Sequence, residues 1–281
     1  MAAPALILFA LFALAPMAIV VYLSLTSWDG LSTPAWIGLD NWREAVTSDV
    51  TRQAVWLTVK FMAVSWLVQT PVSLLLGVFV AGKQRYRAVL AVVYVVPLLV
   101  SSAAVAIIFK NLLDPNFGLG AALGVTLLSQ NWLGDPGLAF ATVVFVIAWQ
   151  FVPFHTLLYQ AGVRQIPASL YEAAAIDGAG RLAQFWSITL PQLRYTIVTS
   201  STLMLVGSLT YFDLVFVLTG GGPGYATRML PLDMYLTGFQ ANEMGLASAV
   251  SVVLVAAGLL LSLGIVRLSG FSRMRSQQEG A

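Results

Sequence analysis

The chain has few of the residues that most catalytic and metal sites need. Among 281 residues it has no cysteine, a single histidine, His155, and only 9% charged residues. The lack of cysteine excludes disulfide scaffolds, thiol catalysis and cysteine metal sites. One histidine also excludes metal sites built on paired imidazoles. We therefore expect this chain to bind neither a metal nor another cofactor.

The charge that is present is too small to indicate a nucleic-acid partner. The formal net charge is +2, and the pI near 9.0 comes from a few basic residues in short segments. Apolar residues make up 59% of the chain, and its mean hydropathy is +0.85. A soluble domain with a hydrated surface does not reach these values. The composition predicts an integral membrane protein in contact with lipid.

Long apolar runs recur along the chain and predict an all-α membrane domain. A helix needs about 20 mainly apolar residues to cross the roughly 30 Å hydrocarbon core of a bilayer. The first run is too long, and lacks the basic leader, for a cleaved signal peptide. We interpret residues 1–281 as a single transmembrane domain with a polar segment at 163–194 between the fourth and fifth of six spans. The predicted spans are residues 4–26, 61–81, 88–109, 138–159, 196–218 and 246–266.

The distribution of basic residues predicts the orientation of the spans. Cytoplasmic segments of membrane proteins carry an excess of lysine and arginine. We therefore expect both termini and segment 163–194 to face the cytoplasm. The side predicted to be cytoplasmic holds Lys83, Arg85, Arg87, Arg164, Arg181, Arg194, Arg267, Arg273 and Arg275, against Arg43, Arg52, Lys60, Lys110 and Arg228 on the other.

Segment 163–194 has the local features of a short helical finger. Ser169 and Glu172 have the spacing of a capping box, and three alanines from Ala173 form a small, strongly helical patch. Gly178 and Gly180 predict an end near a left-handed turn. Glu172 can satisfy a backbone donor, contact another protein, or do both. Beyond the turn, apolar residues at helical spacing predict packing against the chain's own spans: Phe185, Trp186, Ile188 and Leu190.

The same segment resembles the EAA loop of bacterial ATP-binding cassette (ABC) importer permeases. The matching residues are Glu172-Ala173-Ala174, Asp177-Gly178-Ala179, Phe185, Ile188 and Leu190-Pro191. Several spacings match at once over about twenty positions, which makes the pattern specific. Further stretches resemble the sugar-importing group of these permeases: Ile37–Trp42, Asn116–Gly118, Trp132–Pro136 and the TGGGPG sequence at Thr219–Gly224.

The resemblance implies a function and a set of partners. It implies a permease subunit of the bacterial inner membrane that is not itself an enzyme and that moves a carbohydrate into the cytoplasm. The implied partners are a second, homologous permease, two ATPase subunits that bind ATP and Mg²⁺, and an extracytoplasmic solute-binding protein. The residues implied to contact an ATPase are Glu172, Ala173, Ala174, Asp177, Gly178 and Gly180.

A path for a sugar needs hydrogen-bond partners and aromatic faces more than ion pairs. The candidates lie in the fourth and fifth predicted spans. A carboxylate inside a membrane is functional by default, but Asp213 lies near the outer end of its span, where simple hydration also explains it. The predicted path residues are Gln150, His155, Tyr211, Phe212 and Asp213.

Other classes of membrane protein fit the sequence less well. An ion-coupled secondary transporter would need coupling residues at the membrane midplane or repeated halves, and a membrane enzyme would need more ionisable partners than one aspartate and one histidine within the spans. The glycine-rich Thr219–Gly224 is not followed by the Lys-Ser/Thr of a nucleotide-binding loop. A permease of the same architecture for a non-sugar solute, such as an amino acid or phosphate, stays open.

Overall fold

The computed structural model describes residues 3–82 and 84–268, and these are mostly helical. Three residues used to predict the orientation, Lys83, Arg273 and Arg275, lie outside the described residues. Two short strands, β1 (Thr26–Ser27) and β2 (Ala35–Trp36), pair antiparallel. Single π-helical segments occur at Ala10–Leu14, Phe185–Thr189 and Leu236–Gln240. The α-helices are α1 (Ala3–Phe9), α2 (Ala15–Leu23), α3 (Asp40–Thr47), α4 (Asp49–Val80), α5 (Arg85–Leu99), α6 (Ser102–Leu112), α7 (Leu119–Leu123), α8 (Pro136–Arg164), α9 (Ala168–Ile176), α10 (Arg181–Gln184), α11 (Leu190–Gln192), α12 (Arg194–Ser208), α13 (Asp213–Thr219), α14 (Leu230–Tyr235) and α15 (Met244–Leu268).

Within the described residues, four helical stretches are individually long and apolar enough to cross a membrane: Ala3–Leu23, α4, α8 and α15. Two further pairs, α5 with α6 and α12 with α13, meet the requirement only when each pair is counted as one bent span. The predicted number of six spans therefore depends on how these two bent pairs are counted.

The first span ends earlier than the predicted residue 26. Helix α2 stops at Leu23, and Thr26 lies in β1 opposite Trp36. The hydroxyls of Ser24 and Thr26 donate to the carbonyls of Val21 and Leu23, at 2.7 and 2.9 Å, which satisfies backbone acceptors at the helix end. These two side-chain hydrogen bonds allow the helix to end before the apolar run does.

The second span belongs to a helix that begins well before the predicted residue 61. Ser48 is the N-cap of α4, and its Oγ accepts from the Thr51 N–H at 3.4 Å. The 32 residues of α4 are roughly 48 Å long at 1.5 Å per residue. This exceeds a bilayer core of about 30 Å, so one end of α4 projects beyond the hydrocarbon.

The third predicted span, residues 88–109, is not one continuous helix. Helices α5 and α6 meet at an angle of 96°. Val100 and Ser101 are extended, with ψ of 138° and 144°, and Ser101 Oγ accepts from the Ala104 N–H at 3.3 Å. Ser101 therefore acts as the N-cap of a new helix in the middle of an apolar run.

The fifth predicted span, residues 196–218, is also broken. Helices α12 and α13 are bent by 52°. At the end of α12 the Leu209 and Thr210 N–H groups bond to carbonyls three residues back, and the Thr210 Oγ1 donates to the Gly207 carbonyl at 2.8 Å. Tighter bonding of this kind ends a helix. The predicted fourth and sixth spans, by contrast, lie inside the continuous helices α8 and α15.

The centre of the fold is the packing of α4 against α8. Phe61, Ser65, Gln69, Ser73 and Gly77 recur every fourth residue of α4, and all five are buried. Such a row forms one ridge of a helix. A Cβ at Gly77 would lie 2.5 Å from the Tyr159 Cβ of α8. The two helices therefore approach as closely as small residues allow.

Two smaller clusters join the helices at opposite ends of α4. At its beginning, Ala54 packs with Ala45, Leu230, Leu246 and Val250, which joins α3, α14 and α15 to α4. Nearby, the carboxylate of Asp233, which is 1% exposed, pairs with Arg228 Nε at 2.8 Å. At the other end, Leu74, Tyr159 and Leu193 form a cluster that supports the segment 163–194.

Candidate functional site

Helix α9 projects from the fold as a finger between α8 and α12. Of its residues, none is buried. The predicted capping box is wrong: the N-cap is Pro167, no side chain caps the helix, and Ser169 lies inside it. Proline fixes its own φ near the value that a helix start requires, so the helix begins two residues earlier than Ser169 would place it. Glu172 is consequently exposed rather than engaged at the helix start.

The predicted end of the finger is confirmed. Gly178 has a φ of +80°, a backbone conformation that residues other than glycine rarely adopt. No atom lies within 4 Å of the position that a Cβ would take there. The Ala179 N–H bonds to the Ala174 carbonyl at 2.8 Å, and the Gly178 N–H bonds to the Ala175 carbonyl at 3.1 Å. This pair of bonds is the Schellman arrangement that closes helices at glycine. Asp177, Gly178 and Gly180 are exposed beside it.

The segment after the finger anchors it to the spans. Tyr171 Oη and Thr189 Oγ1 lie 2.9 Å apart, and Gln184 Nε2 donates to the Ala179 carbonyl at 3.0 Å. Phe185 and Leu190 pack against the cluster of Leu74, Tyr159 and Leu193, as predicted. Trp186 does not: it is 60% exposed. The π-helical segment Phe185–Thr189 changes the residue spacing, so one of the apolar side chains is turned outward.

The sequence did not indicate two exposed apolar residues on either side of the Gly178 turn. Ile176, the last residue of α9, is 87% exposed, and Leu182 of α10 is 73% exposed. They flank the Gly178 turn, next to Glu172 and the alanine patch. In the sequence, Ile176 is an isolated apolar residue directly before Asp177 and Gly178, and this position beside a turn could have indicated its exposure. Small, apolar and acidic side chains are thus exposed at the tip of the finger.

A second region forms where the two broken spans face α8. Gln150 is 3% exposed, and its Nε2 donates to the Val100 carbonyl at 3.0 Å, at the break between α5 and α6. The ring of Tyr211, in the break between α12 and α13, lies 5.0 Å from that of Phe151 and 6.1 Å from that of Phe61. Consecutive residues of α8 therefore contact both breaks.

The remaining predicted path residues lie in different surroundings. His155 is 3% exposed, with its Nδ1 2.9 Å from Ser200 Oγ of α12, so it joins two helices. Phe212 is half-buried, with its ring 5.3 Å from that of Phe216. Asp213 begins α13 and is exposed. The structure thus gathers Tyr211, Phe212 and Asp213 at one break and places His155 within the helix packing.

No group of three or more His, Asp or Glu side chains that could hold a metal ion occurs in residues 3–82 and 84–268. The finger α9 has no buried residue, and polar and aromatic side chains lie at the two breaks.

Known proteins resemble this chain over most of its length. A family model described as the binding-protein-dependent transport system inner membrane component matches residues 73–273. A probable ABC transporter permease protein of Bacillus subtilis is 35% identical, with 92% of this chain and 91% of that protein covered. The permease protein of a multiple sugar-binding transport system of Streptococcus mutans is 33% identical, with 93% and 89% covered.

A solved structure has the same fold. One chain of a bacterial ABC transporter involved in the import of the acidic polysaccharide alginate superimposes with a TM-score of 0.84 over 96% of this chain and 94% of that chain. The two sequences are 23% identical. The agreement extends over nearly the whole length of both chains.

Proposed function

Because the chain belongs to the family of binding-protein-dependent transport system inner membrane components, we propose that it is the permease subunit of an ABC importer for a carbohydrate. The solute crosses into the cytoplasm, and separate subunits hydrolyse the ATP. Several relatives carry sugar-transport names, among them the multiple sugar-binding system of Streptococcus mutans and a trehalose/maltose system of Thermococcus litoralis. The carbohydrate assignment rests on these relatives and on the sugar-group stretches of the sequence.

The observation that carries the proposal is the exposed finger α9 on a rigid base. Tyr171 and Gln184 make hydrogen bonds within the segment 163–194, and Phe185 packs this base on Leu74 of α4 and Tyr159 of α8. At the tip of the finger, the side chain of Ile176 is 87% exposed. A rigid element with an uncovered tip can transmit the motion of a partner to the helices that hold it. We assign the ATPase contact to Glu172, Ala173, Ala174, Asp177, Gly178 and Gly180, with Ile176 added.

The proposed assembly has further members. A second, homologous permease completes the path, two ATPase subunits hold ATP and Mg²⁺, and an extracytoplasmic binding protein delivers the sugar. The distribution of basic residues supports a cytoplasmic position for both termini and the finger. The carboxyl end of α8 and the end of α4 lie on the finger's side, where Gln160 Nε2 donates to the Val80 carbonyl at 3.1 Å.

The proposed solute path passes the break between α12 and α13. Asp213 and Thr210 are exposed there, in the middle of a pair of helices that together meet the length and hydropathy of a span. A carboxylate facing lipid is costly, so this surface belongs beside water or another protein. Tyr211 and Phe212 add aromatic faces. Gln150 and His155 are buried. Gln150 donates to the Val100 carbonyl, and His155 lies within hydrogen-bond distance of the Ser200 hydroxyl.

Co-purification and reconstitution test the proposal. The chain is expressed with an affinity tag in its source cells, and the attached proteins are identified by mass spectrometry. We expect an ATPase and a second permease. In proteoliposomes with the binding protein, the complex takes up radiolabelled maltotriose or arabinotriose only with ATP inside. Uptake by the isolated chain without ATP would overturn the proposal, and so would a complex that contains no ATPase.

A further inference from the structure

A short hairpin follows the first membrane-spanning stretch without a linker. Helix α2 ends at Leu23, and strands β1 and β2 pair directly after it, with Thr26 opposite Trp36. The Ile37 N–H donates to the Leu25 carbonyl at 3.0 Å and closes the base of the hairpin. We refer to residues 24–37 as the β-hairpin. Its level in the membrane is set by the helix that ends where it begins.

The β-hairpin is fixed to two neighbouring helices. The buried amide of Asn41, in α3, donates to the carbonyls of Ser24 and Thr26 at 2.9 and 2.8 Å. The Gly245 N–H, at the start of α15, donates to the Trp28 carbonyl at 3.3 Å, and a Cβ on Gly245 would collide with the Thr26 carbonyl oxygen. The β-hairpin is therefore a rigid projection of the fold.

The turn of the β-hairpin satisfies its own charge. The Asp29 Oδ1 accepts from the Ser32 N–H at 2.7 Å, the Leu31 N–H at 2.9 Å and the Ser32 hydroxyl at 2.8 Å. These hydrogen bonds favour the ionised carboxylate and lower the pKa of Asp29 to about 2. The Trp28 Nε1 donates to the Ser32 carbonyl at 2.8 Å. The polar groups of the turn thus bond to one another, while the Leu31 side chain has no cover.

The apolar side chains of the β-hairpin are directed outward. Leu31, in the turn, is 96% exposed, and Trp36, in β2, is 64% exposed. The ring of Tyr22, in the last turn of α2, is also exposed and lies 6.3 Å from that of Trp36. A rigid element that holds large apolar groups in the open indicates a surface that something else covers.

The length of the preceding helix places the β-hairpin at the edge of the hydrocarbon. The 21 residues Ala3–Leu23 are roughly 31 Å long at 1.5 Å per residue, which matches a bilayer core of about 30 Å. None of these 21 residues is buried, and α2 packs on α15. The β-hairpin therefore lies at the rim of the fold, level with the lipid headgroups and beside an uncovered apolar helix.

The β-hairpin and the finger lie at opposite ends of the fold. Helix α3 and the start of α15, which hold the β-hairpin, pack on Ala54 near the beginning of α4 through Ala45 and Leu246. The finger is supported near the end of α4 by Leu74. In the proposed orientation, the β-hairpin is therefore at the outer leaflet.

We propose that the β-hairpin is a membrane-interface anchor, with Leu31 and Trp36 seated among the headgroups of the outer leaflet. Tryptophan and tyrosine favour this zone because the ring is apolar and one edge is polar, and an apolar side chain gains by entering the boundary between headgroups and acyl chains. Asp29 is the single charged residue among residues 24–37. The contact is therefore apolar, and it does not depend on anionic lipid. The inference uses the membrane position of the chain and not the carbohydrate assignment.

Spin labelling measures the depth of the tip. The chain has no cysteine, so Leu31→Cys gives one site for a nitroxide in this subunit, and the partner subunits are used in cysteine-free form. The complex is reconstituted in phosphatidylcholine vesicles with and without phosphatidylglycerol. Electron paramagnetic resonance measures collisions of the nitroxide with molecular oxygen, which concentrates in hydrocarbon, and with a water-soluble nickel chelate.

The reference for water is the same label at Glu44→Cys, an exposed position on α3. The reference for lipid is a phosphatidylcholine that carries a nitroxide close to its headgroup. We expect the label at residue 31 to collide with nickel several-fold less often than the label at residue 44, and with oxygen about as often as the labelled lipid. Phosphatidylglycerol should change neither rate. Trp36→Cys should behave in the same way, and it covers the case in which the Leu31 variant does not assemble.

Each alternative cover gives a different result. Nickel collisions as frequent as at residue 44 place the tip in water and overturn the anchor. Low collision rates with both oxygen and nickel show that a protein covers the tip, either the second permease or the binding protein, and also overturn it. Shielding that requires phosphatidylglycerol contradicts an apolar contact. A complex that inserts but takes up no saccharide would count against the proposed function and leave this measurement intact.

Discussion

Gln150 of α8 donates a hydrogen bond to the carbonyl of Val100, at the point where the third span bends by 96°. The break frees backbone groups that a continuous helix would satisfy, and hydrocarbon offers them no other partner. The neighbouring Phe151 contacts Tyr211 at the second break. One turn of α8 thus contacts both bent spans.

Gln150→Leu should destabilise the fold by about 1–3 kcal/mol, because the partly buried Val100 carbonyl loses its hydrogen-bond donor. Thermal unfolding of the detergent-solubilised protein, followed by tryptophan fluorescence, measures the effect. Gln53→Leu makes the same change at an exposed position of α4 and should leave the transition in place. Equal transitions for the two variants would contradict the assigned support.

Gly77→Ala should destabilise the contact between α4 and α8 by about 1–3 kcal/mol. The added methyl would lie 2.5 Å from the Tyr159 Cβ and 3.0 Å from the Thr156 carbonyl oxygen, and both belong to a helix that cannot yield locally. Gly264→Ala, in α15 with no atom within 4 Å, should be neutral or slightly stabilising. Thermal unfolding of the two variants side by side makes the comparison.

Asp233→Ala should cost about 3–5 kcal/mol, since it leaves Arg228 without its buried partner. The carboxylate is 1% exposed and also accepts from Thr51. The matched control is Asp49→Ala, whose pair with Arg52 is largely exposed and is worth at most about 1 kcal/mol. Denaturant or thermal unfolding that ranks the two alike would show that burial of the pair has no energetic consequence.

Glu172→Lys should uncouple ATP hydrolysis from uptake, or prevent ATPase binding, while membrane insertion stays intact. The side chain is exposed on α9, so the charge reversal acts on the partner and not on the fold. Uptake and ATPase activity are measured together in proteoliposomes. Glu44→Lys, an exposed charge reversal on α3 near the far end of α4, should retain both. Normal coupling in the Glu172 variant would remove this residue from the proposed contact.

Ile176→Ser should weaken ATPase binding without lowering the thermal stability of the isolated chain, because the side chain is 87% exposed and only a partner can bury it. Co-purification yield of the ATPase reports on the contact. Leu31→Ser, at a position that is 96% exposed near Asp29 in the loop after β1, should leave the yield unchanged. A large fall in thermal stability in the Ile176 variant would instead indicate a role in folding.

Features that depend on near neighbours were predicted well. The Gly178 turn, the packing of Phe185 and Leu190, and the positions of the fourth and sixth helices all match the local pattern of residues. The prediction of a capping box was wrong although Ser169 and Glu172 have the right spacing, because the helix already begins after Pro167 and Ser169 lies inside it. The outward turn of Trp186 follows from a π-helical segment that has no clear sequence signal.

The sequence by itself determined that this chain lies in a membrane, that it is helical, and that a small finger follows its fourth span, because run length, hydropathy and turn residues act locally. Tertiary structure decided where two spans break, why Gln150 is buried, and that Phe212 and Phe216 contact Tyr235. Each of these depends on contacts between residues far apart in the chain, such as Gln150 with Val100. The hydrophobic pattern is the same whether an apolar run crosses the membrane straight or bent.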